Sequence, residues 1–286
     1  MRYGVHTWLW TTRFREENLV VFDKAHNIGY DGVEIHLEHL DILPVTGIKR
    51  KMRETGLACT FSVGLTEDKS VASPFKIFRE KGINFLKRAI DVAAELDGDV
   101  ICGIPYGAWG VENPIMRRPE EYDYAIESLK ILADYAKDHG ITLALEPINR
   151  FEGYMINTSD EMAEFIGRIN HPNIKMHLDT FQMNIEENDL CEPFKKYSNL
   201  VYHVHLCENH RGIPGTGTIP WKNIFKTLKE IGYKRWVVYE AWVHDLFLSE
   251  FGMIPPKMAM WRRLITDSDS AAEQALKFFK EIAKSV

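Results

Sequence analysis

The sequence is poor in the features that mark secreted, membrane-bound and nucleic-acid-binding proteins. Its four cysteines include no CxxC pair, which favours reduced thiols in a cytoplasmic protein over a disulfide framework. No apolar run reaches the roughly 18 residues of a membrane span. No block of Lys and Arg is present, and the net charge is −6, so a nucleic-acid backbone is an unsuitable partner. We therefore expect a cytoplasmic protein that binds neither membranes nor nucleic acids.

No linker and no low-complexity segment divides the chain, and the early start of the first strand leads us to expect no signal peptide. A strand-like run begins at Tyr3, and no Pro-, Gly- or Ser-rich stretch divides the residues that follow. A chain of 286 residues with 45% hydrophobic content can form one large core, and this length is ordinary for an α/β barrel. We therefore predict a single domain that spans residues 1–286.

Strand and helix patterns alternate along the whole chain. Strand-like runs lie near 3–8, 32–36, 57–62, 99–104, 141–146, 174–179, 200–206 and 236–241. Helical patterns lie near 17–28, 45–55, 74–96, 119–139, 159–169, 188–196, 221–231 and 268–284. Between helix and strand stand four glycines that suit left-handed helix ends, namely Gly29, Gly56, Gly140 and Gly232. Eight alternating units predict an α/β fold, the (β/α)8 TIM barrel.

Four of the strand-like runs end in an acid or an imidazole, although a buried charge is costly unless it is paired or bound to a metal. These residues are Glu146 in ITLALE, Asp179 in IKMHLD, His205 in LVYHVH and Glu240 in WVVYE. The carboxyl ends of barrel strands meet at one face, so we expect the four to converge there and form the active site. Three carboxylates and one imidazole suit Mn²⁺, Co²⁺ or Mg²⁺.

Alternation along the strands predicts which side chains face the barrel axis, because successive side chains point to opposite faces. The four strand-end residues face inward. His177 and His203 face inward one layer deeper, where we expect hydrogen-bonded histidines rather than metal ligands. Glu34 on the second strand also faces inward, and we expect it to support the metal site.

Two long segments, 105–119 and 241–266, interrupt the alternation of strands and helices. The first contains Trp109 and the second contains Trp242 and several methionines, including Met253 and Met258. We predict that both segments cover the mouth of the barrel. A subunit interface is the alternative, because exposed apolar patches often bind partners.

Several motifs carry a resemblance to a known family. They are ALEPINRFE (144–152), HLDTFQMNIEE (177–187), HVHLCENHR (203–211), IPWKNIFKTLKEIGY (219–233) and YEAW (239–242). Together they resemble the ketose 3-epimerases, the D-tagatose and D-allulose (psicose) 3-epimerase group of the xylose-isomerase-like TIM-barrel superfamily. The resemblance implies metal-dependent epimerisation of free ketoses at C3, by removal and return of the C3 proton through an enediolate. D-fructose/D-allulose, D-tagatose/D-sorbose and L-ribulose/L-xylulose are examples of such pairs. It also implies a homodimer or a homotetramer.

The resemblance assigns roles to individual residues. The implied ligands of the divalent metal, for which we expect Mn²⁺ ahead of Co²⁺ and Mg²⁺, are Glu146, Asp179, His205 and Glu240. The implied catalytic acid and base are Glu146 and Glu240. The predicted substrate-binding residues are Glu152, Gln182, Arg211, His6, Trp8 and Trp109. Gln182 departs from the family pattern, which usually has His there, and an amide cannot carry the positive charge of an imidazolium.

Other functions remain open on the same barrel. An aldose–ketose isomerase or a hydroxypyruvate-type isomerase would move a proton between C1 and C2, and an inosose dehydratase would use similar metal ligands. The NRFE and ENHR motifs favour the epimerase. An endonuclease-IV-like enzyme would need more histidine ligands and a basic face. A non-enzymatic sugar-binding or metal-storing protein is disfavoured because every proposed ligand is intact.

Overall fold

Eight parallel strands form a closed barrel in chain order. The computed structural model describes residues 1–110, 118–252 and 260–286. The strands are β1 (Arg2–His6), β2 (Gly32–His36), β3 (Ala58–Leu65), β4 (Val100–Ala108), β5 (Thr142–Leu145), β6 (Ile174–Asp179), β7 (Val201–Leu206) and β8 (Trp236–Tyr239). Each strand pairs with the next, and β8 pairs with β1. The prediction of a (β/α)8 barrel is confirmed.

The helices surround the barrel. Within the described ranges they are α1 (Val20–Ile28), α2 (Val45–Thr55), α3 (Lys76–Glu95), α4 (Pro119–Asp138), α5 (Ser159–Ile169), α6 (Thr180–Glu186), α7 (Glu192–Lys196), α8 (Trp221–Glu230), α9 (His244–Phe251) and α10 (Ser268–Ser285). The sequence patterns did not predict α6 and α9. The helix α6 begins directly after β6, because the Asp179 carboxylate accepts a hydrogen bond from the Phe181 amide and caps it.

Four predicted strand ends are wrong by two or more residues, among them the third, which continues to Leu65, and the eighth, which ends at Tyr239. The first strand ends at His6 rather than at Trp8, because the His6 imidazole accepts a hydrogen bond from the Trp8 amide and starts a 3-10 turn. The fourth strand continues to Ala108, into the segment predicted as a loop. Residues 111–117 and 253–259, which include Met253 and Met258, lie outside the described residues.

Alternation along the strands separates two apolar layers, as predicted. On β5, Leu143 and Leu145 pack into the main core between barrel and helices. Ala144 instead packs with Val100 and Cys102 of β4 in a separate small cluster, with Tyr202 of β7 against it. Val100, Cys102 and Ala144 have small side chains, which leave room toward the strand ends for longer polar side chains.

The structure shows the state of the cysteines, the hydropathy of the helices and the conformation of the helix-end glycines. All four cysteines are unpaired and buried. In the parts of the chain that the structure describes, no helix combines the length and the apolar character needed to cross a lipid bilayer. The four glycines expected at helix ends all adopt the left-handed conformation, with φ between 69° and 97°.

Candidate active site

A cleft at the carboxyl ends of the strands brings most of the predicted site residues together. The predicted residues that line it are Trp8, Trp109, Glu146, Glu152, Gln182, His205, Arg211 and Glu240. Its lining also includes His36, Ser62 and Trp242, to which the sequence reasoning gave no role in the site. Two predicted residues, His6 and Asp179, are buried beside the cleft and are not part of its lining.

Three buried carboxylates meet in this region. Burial, together with the charges of Asp179 and Glu240, raises the pKa of Glu146 well above its ordinary value. Burial also raises the pKa of Asp179, to about 6. Burial acts on Glu240 in the same direction, but the charges of Arg211 and His205 outweigh it and hold its pKa well below the usual range. The protein groups alone therefore do not balance three ionised carboxylates, and an added cation would lower the pKa values of the first two.

Two of the predicted metal ligands each carry a buried polar atom without a hydrogen-bond partner in the described part of the chain. Asp179 Oδ2 and His205 Nδ1 are buried and unpartnered among the described residues. His205 Nδ1 lies 3.6 Å from Glu240 Oε2, beyond hydrogen-bonding distance. Unsatisfied buried polar atoms are rare in folded proteins and require an explanation. A divalent cation would bind both atoms, so the donor set fits a metal.

The candidate ligand atoms in this region form two neighbouring groups. Glu146, His177 and His205 have ligand atoms within 4.8 Å of one another, and so have Asp179, Cys207 and Glu240. Within the described ranges, no single group contains all four predicted ligands, but the 3.6 Å contact between His205 and Glu240 joins the two groups. Three carboxylates and an imidazole are typical ligands of Mn²⁺ and Mg²⁺.

The deeper histidines differ in their contacts. His203 Nε2 lies 2.7 Å from Glu34 Oε2, a close polar contact that places it in the core beside this carboxylate. His177 Nδ1 lies 3.6 Å from Glu146 Oε2, and neither ring nitrogen of His177 has a hydrogen-bond partner in the described part of the chain. Burial raises the pKa of Glu34, but the opposing effect of His205 and His203 is larger, so this pKa lies well below its ordinary value.

Arg211 lies between the carboxylates and the aromatic wall of the cleft. Its guanidinium contacts Glu240 directly and lies 3.6 Å from both Glu152 and Asp179. The guanidinium carbon is 3.9 Å from the ring centre of Trp242, which adds a cation–π contact. The backbone of Arg211 is left-handed, with φ of 57°, which is uncommon for a residue other than glycine. Among the described residues, Arg211 is the only arginine that lines the cleft. Its contacts and its backbone conformation hold its side chain in a defined position.

Glu152 is the centre of a hydrogen-bonded group on one side of the cleft. It accepts hydrogen bonds from Asn149 Nδ2 at 2.9 Å, from Trp109 Nε1 at 3.1 Å and from Gln182 Nε2 at 3.4 Å. Gln182 Oε1 in turn accepts a hydrogen bond from the Asn149 backbone amide at 2.8 Å. Three of the predicted substrate-binding residues therefore hold one another in place.

Aromatic rings and a small polar group form the other side of the cleft. Trp8 stacks on Trp109 with ring centres 6.0 Å apart, and the ring centre of His36 lies 4.7 Å from that of Trp8. Ser62 Oγ lies 3.0 Å from His36 Nδ1 and 2.9 Å from His6 Nε2. Burial lowers the pKa of His6 to about 4, so His6 is a neutral hydrogen-bonding group near neutral pH.

A buried acid that the sequence reasoning missed anchors the loop that carries Arg211. Glu208 is fully buried after β7 and accepts hydrogen bonds from the Gly215 amide at 2.8 Å and from Trp221 Nε1 at 2.9 Å. It also accepts one from the Ile219 amide at 3.2 Å. Backbone donors supply most of these bonds, so the residue types in the sequence gave no signal for the role of Glu208.

The sequence did contain a signal for His36, because the strand-like run VEIH also ends in an imidazole.

Together, the fold and the cleft define a (β/α)8-barrel enzyme with a cluster of buried carboxylates and imidazoles at its strand ends. The family model of xylose isomerase-like TIM barrels matches residues 22–282. This chain belongs to that family, within its group of ketose 3-epimerases, and is an enzyme of the isomerase class.

The relatives support this placement over nearly the full length. An L-ribulose 3-epimerase of Methylomonas sp. (strain DH-1) is 34% identical, with 98% of this chain and 97% of the relative covered. A ketose 3-epimerase of Arthrobacter globiformis is 32% identical, with 98% and 96% covered. The solved structure of D-allulose 3-epimerase from Methylomonas sp. in complex with D-allulose is similar, with a TM-score of 0.93, 32% identity and coverage of 98% and 96%.

Proposed function

We propose that this chain is a divalent-metal-dependent epimerase that inverts C3 of free ketoses. The observation that supports this most is the pair of buried carboxylates Glu146 and Glu240, which line one cleft. They follow β5 and β8, which two other strands separate in the barrel, so the carboxylates reach the cleft from different sides. Inversion of a carbon needs a base on one face and an acid on the other, and two such carboxylates meet this need.

The proposed chemistry uses these two residues in turn. One of them removes the C3 proton and the other returns a proton to the opposite face, and the roles exchange in the reverse direction. The proposed ligands of the cation are Glu146, Asp179, His205 and Glu240. When bound, the divalent cation, which we propose to be Mn²⁺, would polarise the C2 carbonyl and lower the pKa of the C3 proton.

The remaining residues of the cleft would hold the sugar. Glu152, Gln182 and Arg211 are placed to bind the hydroxyls near C1 to C3. The tryptophans Trp8 and Trp109 would pack against the carbon faces. His36 is the last residue of β2 and Ser62 lies on β3, across the barrel from Gln182 and Arg211, so they would meet the far hydroxyls. His6 would hold Ser62 in place rather than contact the sugar directly.

The organisation of the whole molecule is also part of the proposal. We propose that residues 1–286 form one barrel domain whose active site lies at the carboxyl ends of the strands. The protein would act on small sugars in the cytoplasm as a homodimer or a homotetramer. Light scattering coupled to gel filtration would determine the number of subunits.

Product analysis before and after metal removal tests the proposed function. The chelator-treated protein and the same protein reloaded with Mn²⁺ would each be incubated with D-fructose, D-tagatose and L-ribulose. We expect the C3 epimer of at least one sugar, and an activity at least about 100-fold lower in the chelated protein, since a lost metal removes several kcal/mol of stabilisation. An aldose product would identify an isomerase instead, and a dehydrated product a lyase. Equal activity without metal would contradict the metal dependence.

Gln182 offers a test of the sugar-binding group. Gln182→Leu removes the acceptor of the buried Asn149 amide, and an unsatisfied buried donor costs about 1–3 kcal/mol. We expect a lower melting temperature and a higher KM, because Glu152 also loses a partner. Gln182→His keeps one donor and one acceptor, and we expect it to retain most of the activity. Steady-state kinetics and thermal denaturation would check both variants, and a Leu variant equal to the His variant would contradict this role.

A further inference from the structure

Glu34 is a fully buried carboxylate beneath the cleft that the proposed reaction does not use. Its Oε1 lies 2.5 Å from His205 Nε2, and its Oε2 lies 2.7 Å from His203 Nε2. The Thr60 hydroxyl donates a further hydrogen bond to Oε2 at 2.8 Å. In the described part of the chain, every ion-pair partner of Glu34 is a histidine. Both carboxylate oxygens are therefore engaged, and the side chain cannot turn without losing contacts.

These contacts determine where His205 carries its proton. An ionised carboxylate only accepts hydrogen bonds, so the imidazole must donate from Nε2. A neutral imidazole has one N–H, and its other nitrogen then carries a free lone pair. In His205 that other nitrogen is Nδ1, which is buried without a partner and lies on the side of Glu240. In the neutral form that a metal ligand requires, the lone pair of His205 thus faces the other proposed ligands.

We propose that Glu34 is the positioning residue that makes His205 an Nδ1 ligand of the cation. This inference rests on the metal site of the proposed function. Ligating histidines usually donate their second N–H to a carboxylate or a carbonyl, and loss of that partner typically weakens metal binding about 10–100-fold. His203 and Thr60 hold the other oxygen of Glu34, so the carboxylate keeps its orientation when the cleft binds a ligand.

The distances disfavour a second metal site at the same residues. Ligand atoms of Glu34, Cys102, His203 and His205 lie within 4.8 Å of one another. Two ligands about 2.1 Å from one tetrahedral ion would stand roughly 3.4 Å apart. The separations of 2.5 and 2.7 Å from the Glu34 oxygens to the two imidazoles are instead hydrogen-bond lengths.

Glu34→Gln tests the proposal through metal affinity. A glutamine has one accepting and one donating end, so one of the two imidazoles would face an N–H instead of an oxygen. We expect the Kd for Mn²⁺, measured from the electron paramagnetic resonance signal of free Mn²⁺, to rise about 10–100-fold. The matched control is Glu121→Gln, another buried glutamate, which lies on α4 and contacts Arg118 and Tyr154 rather than the cleft. An unchanged Kd in the Glu34 variant would overturn the proposal.

A second measurement does not depend on whether the variant folds. Long-range ¹H–¹⁵N correlation spectra of the wild-type protein, labelled with ¹⁵N-histidine and loaded with Mg²⁺, report the tautomer of His205. We expect a proton on Nε2 and none on Nδ1, and the opposite tautomer would overturn the proposal. Neither readout uses turnover. A protein that binds metal through Nδ1 of His205 and yet epimerises no ketose would contradict the proposed function alone.

Discussion

Glu146→Gln and Glu240→Gln are each expected to abolish the turnover of ketoses while some affinity for the sugar remains. Glutamine has nearly the same shape as glutamate but cannot take up or release a proton in this range of pH. General acid–base groups contribute about 10²- to 10⁴-fold to rates, so we expect kcat/KM to fall by at least about 10³-fold in each variant. Unchanged turnover in either variant would contradict the mechanism.

The two variants should also differ from each other in a specific way. With one carboxylate left, the protein can still exchange the C3 proton on the face that this carboxylate reaches, without inverting the carbon. We therefore expect slow exchange with D₂O in only one epimer for Glu146→Gln, and in only the other epimer for Glu240→Gln. Because both residues are also proposed ligands, the assays would use saturating Mn²⁺ with its binding measured in parallel. Glu121→Gln is the control and should retain normal activity.

Arg211 is expected to show the second largest effect. It is 5% exposed and contacts the carboxylates of Glu240, Glu152 and Asp179. Lysine keeps the charge but loses the planar fork and the stacking on Trp242, so Arg211→Lys should reduce kcat/KM by about 100-fold. Arg211→Met removes the charge as well. Loss of one partner of a buried ion pair costs about 3–5 kcal/mol, and we expect the metal-free variant to unfold at a clearly lower temperature.

Kinetics and differential scanning calorimetry would measure both Arg211 variants. The control is Arg150→Lys, which alters an arginine on the surface that is 2.7 Å from Glu186 in a bidentate pair. The Arg150 side chain is 63% exposed, and lysine keeps its charge beside Glu186, so this control should change kcat/KM little. An Arg211→Lys variant with wild-type kcat/KM would show that the guanidinium neither binds the sugar nor orders the carboxylates.

Much of the site could be predicted from the sequence because buried strands rarely end in a charge without a reason. That rule identified Glu146, Asp179, His205 and Glu240, and the structure brings these residues into one region. The same rule applies to His36. The run VEIH has two polar residues that face inward, Glu34 and His36, and the sequence analysis assigned a role only to Glu34. Glu146 and Glu240 lie one residue beyond their strands, a difference that does not change the face to which they point.

The rest of the site depends on contacts that residue types do not reveal. Nothing in an arginine side chain indicates the left-handed backbone of Arg211, because that conformation follows from how its loop closes. Glu208 accepts hydrogen bonds mainly from backbone amides, which every residue carries. The helix α6 was missed because its cap, Asp179, had been interpreted as a metal ligand, and one carboxylate can have both roles.

The most direct test of the account is proton exchange at the sugar carbons. The Mn²⁺-loaded protein would be incubated in D₂O with D-fructose, D-tagatose and L-ribulose and followed by NMR. The account predicts that solvent deuterium enters at C3, at the same time as the C3 epimer forms. Deuterium at C1 or C2 with an aldose product would contradict it and would identify an aldose–ketose isomerase on this barrel.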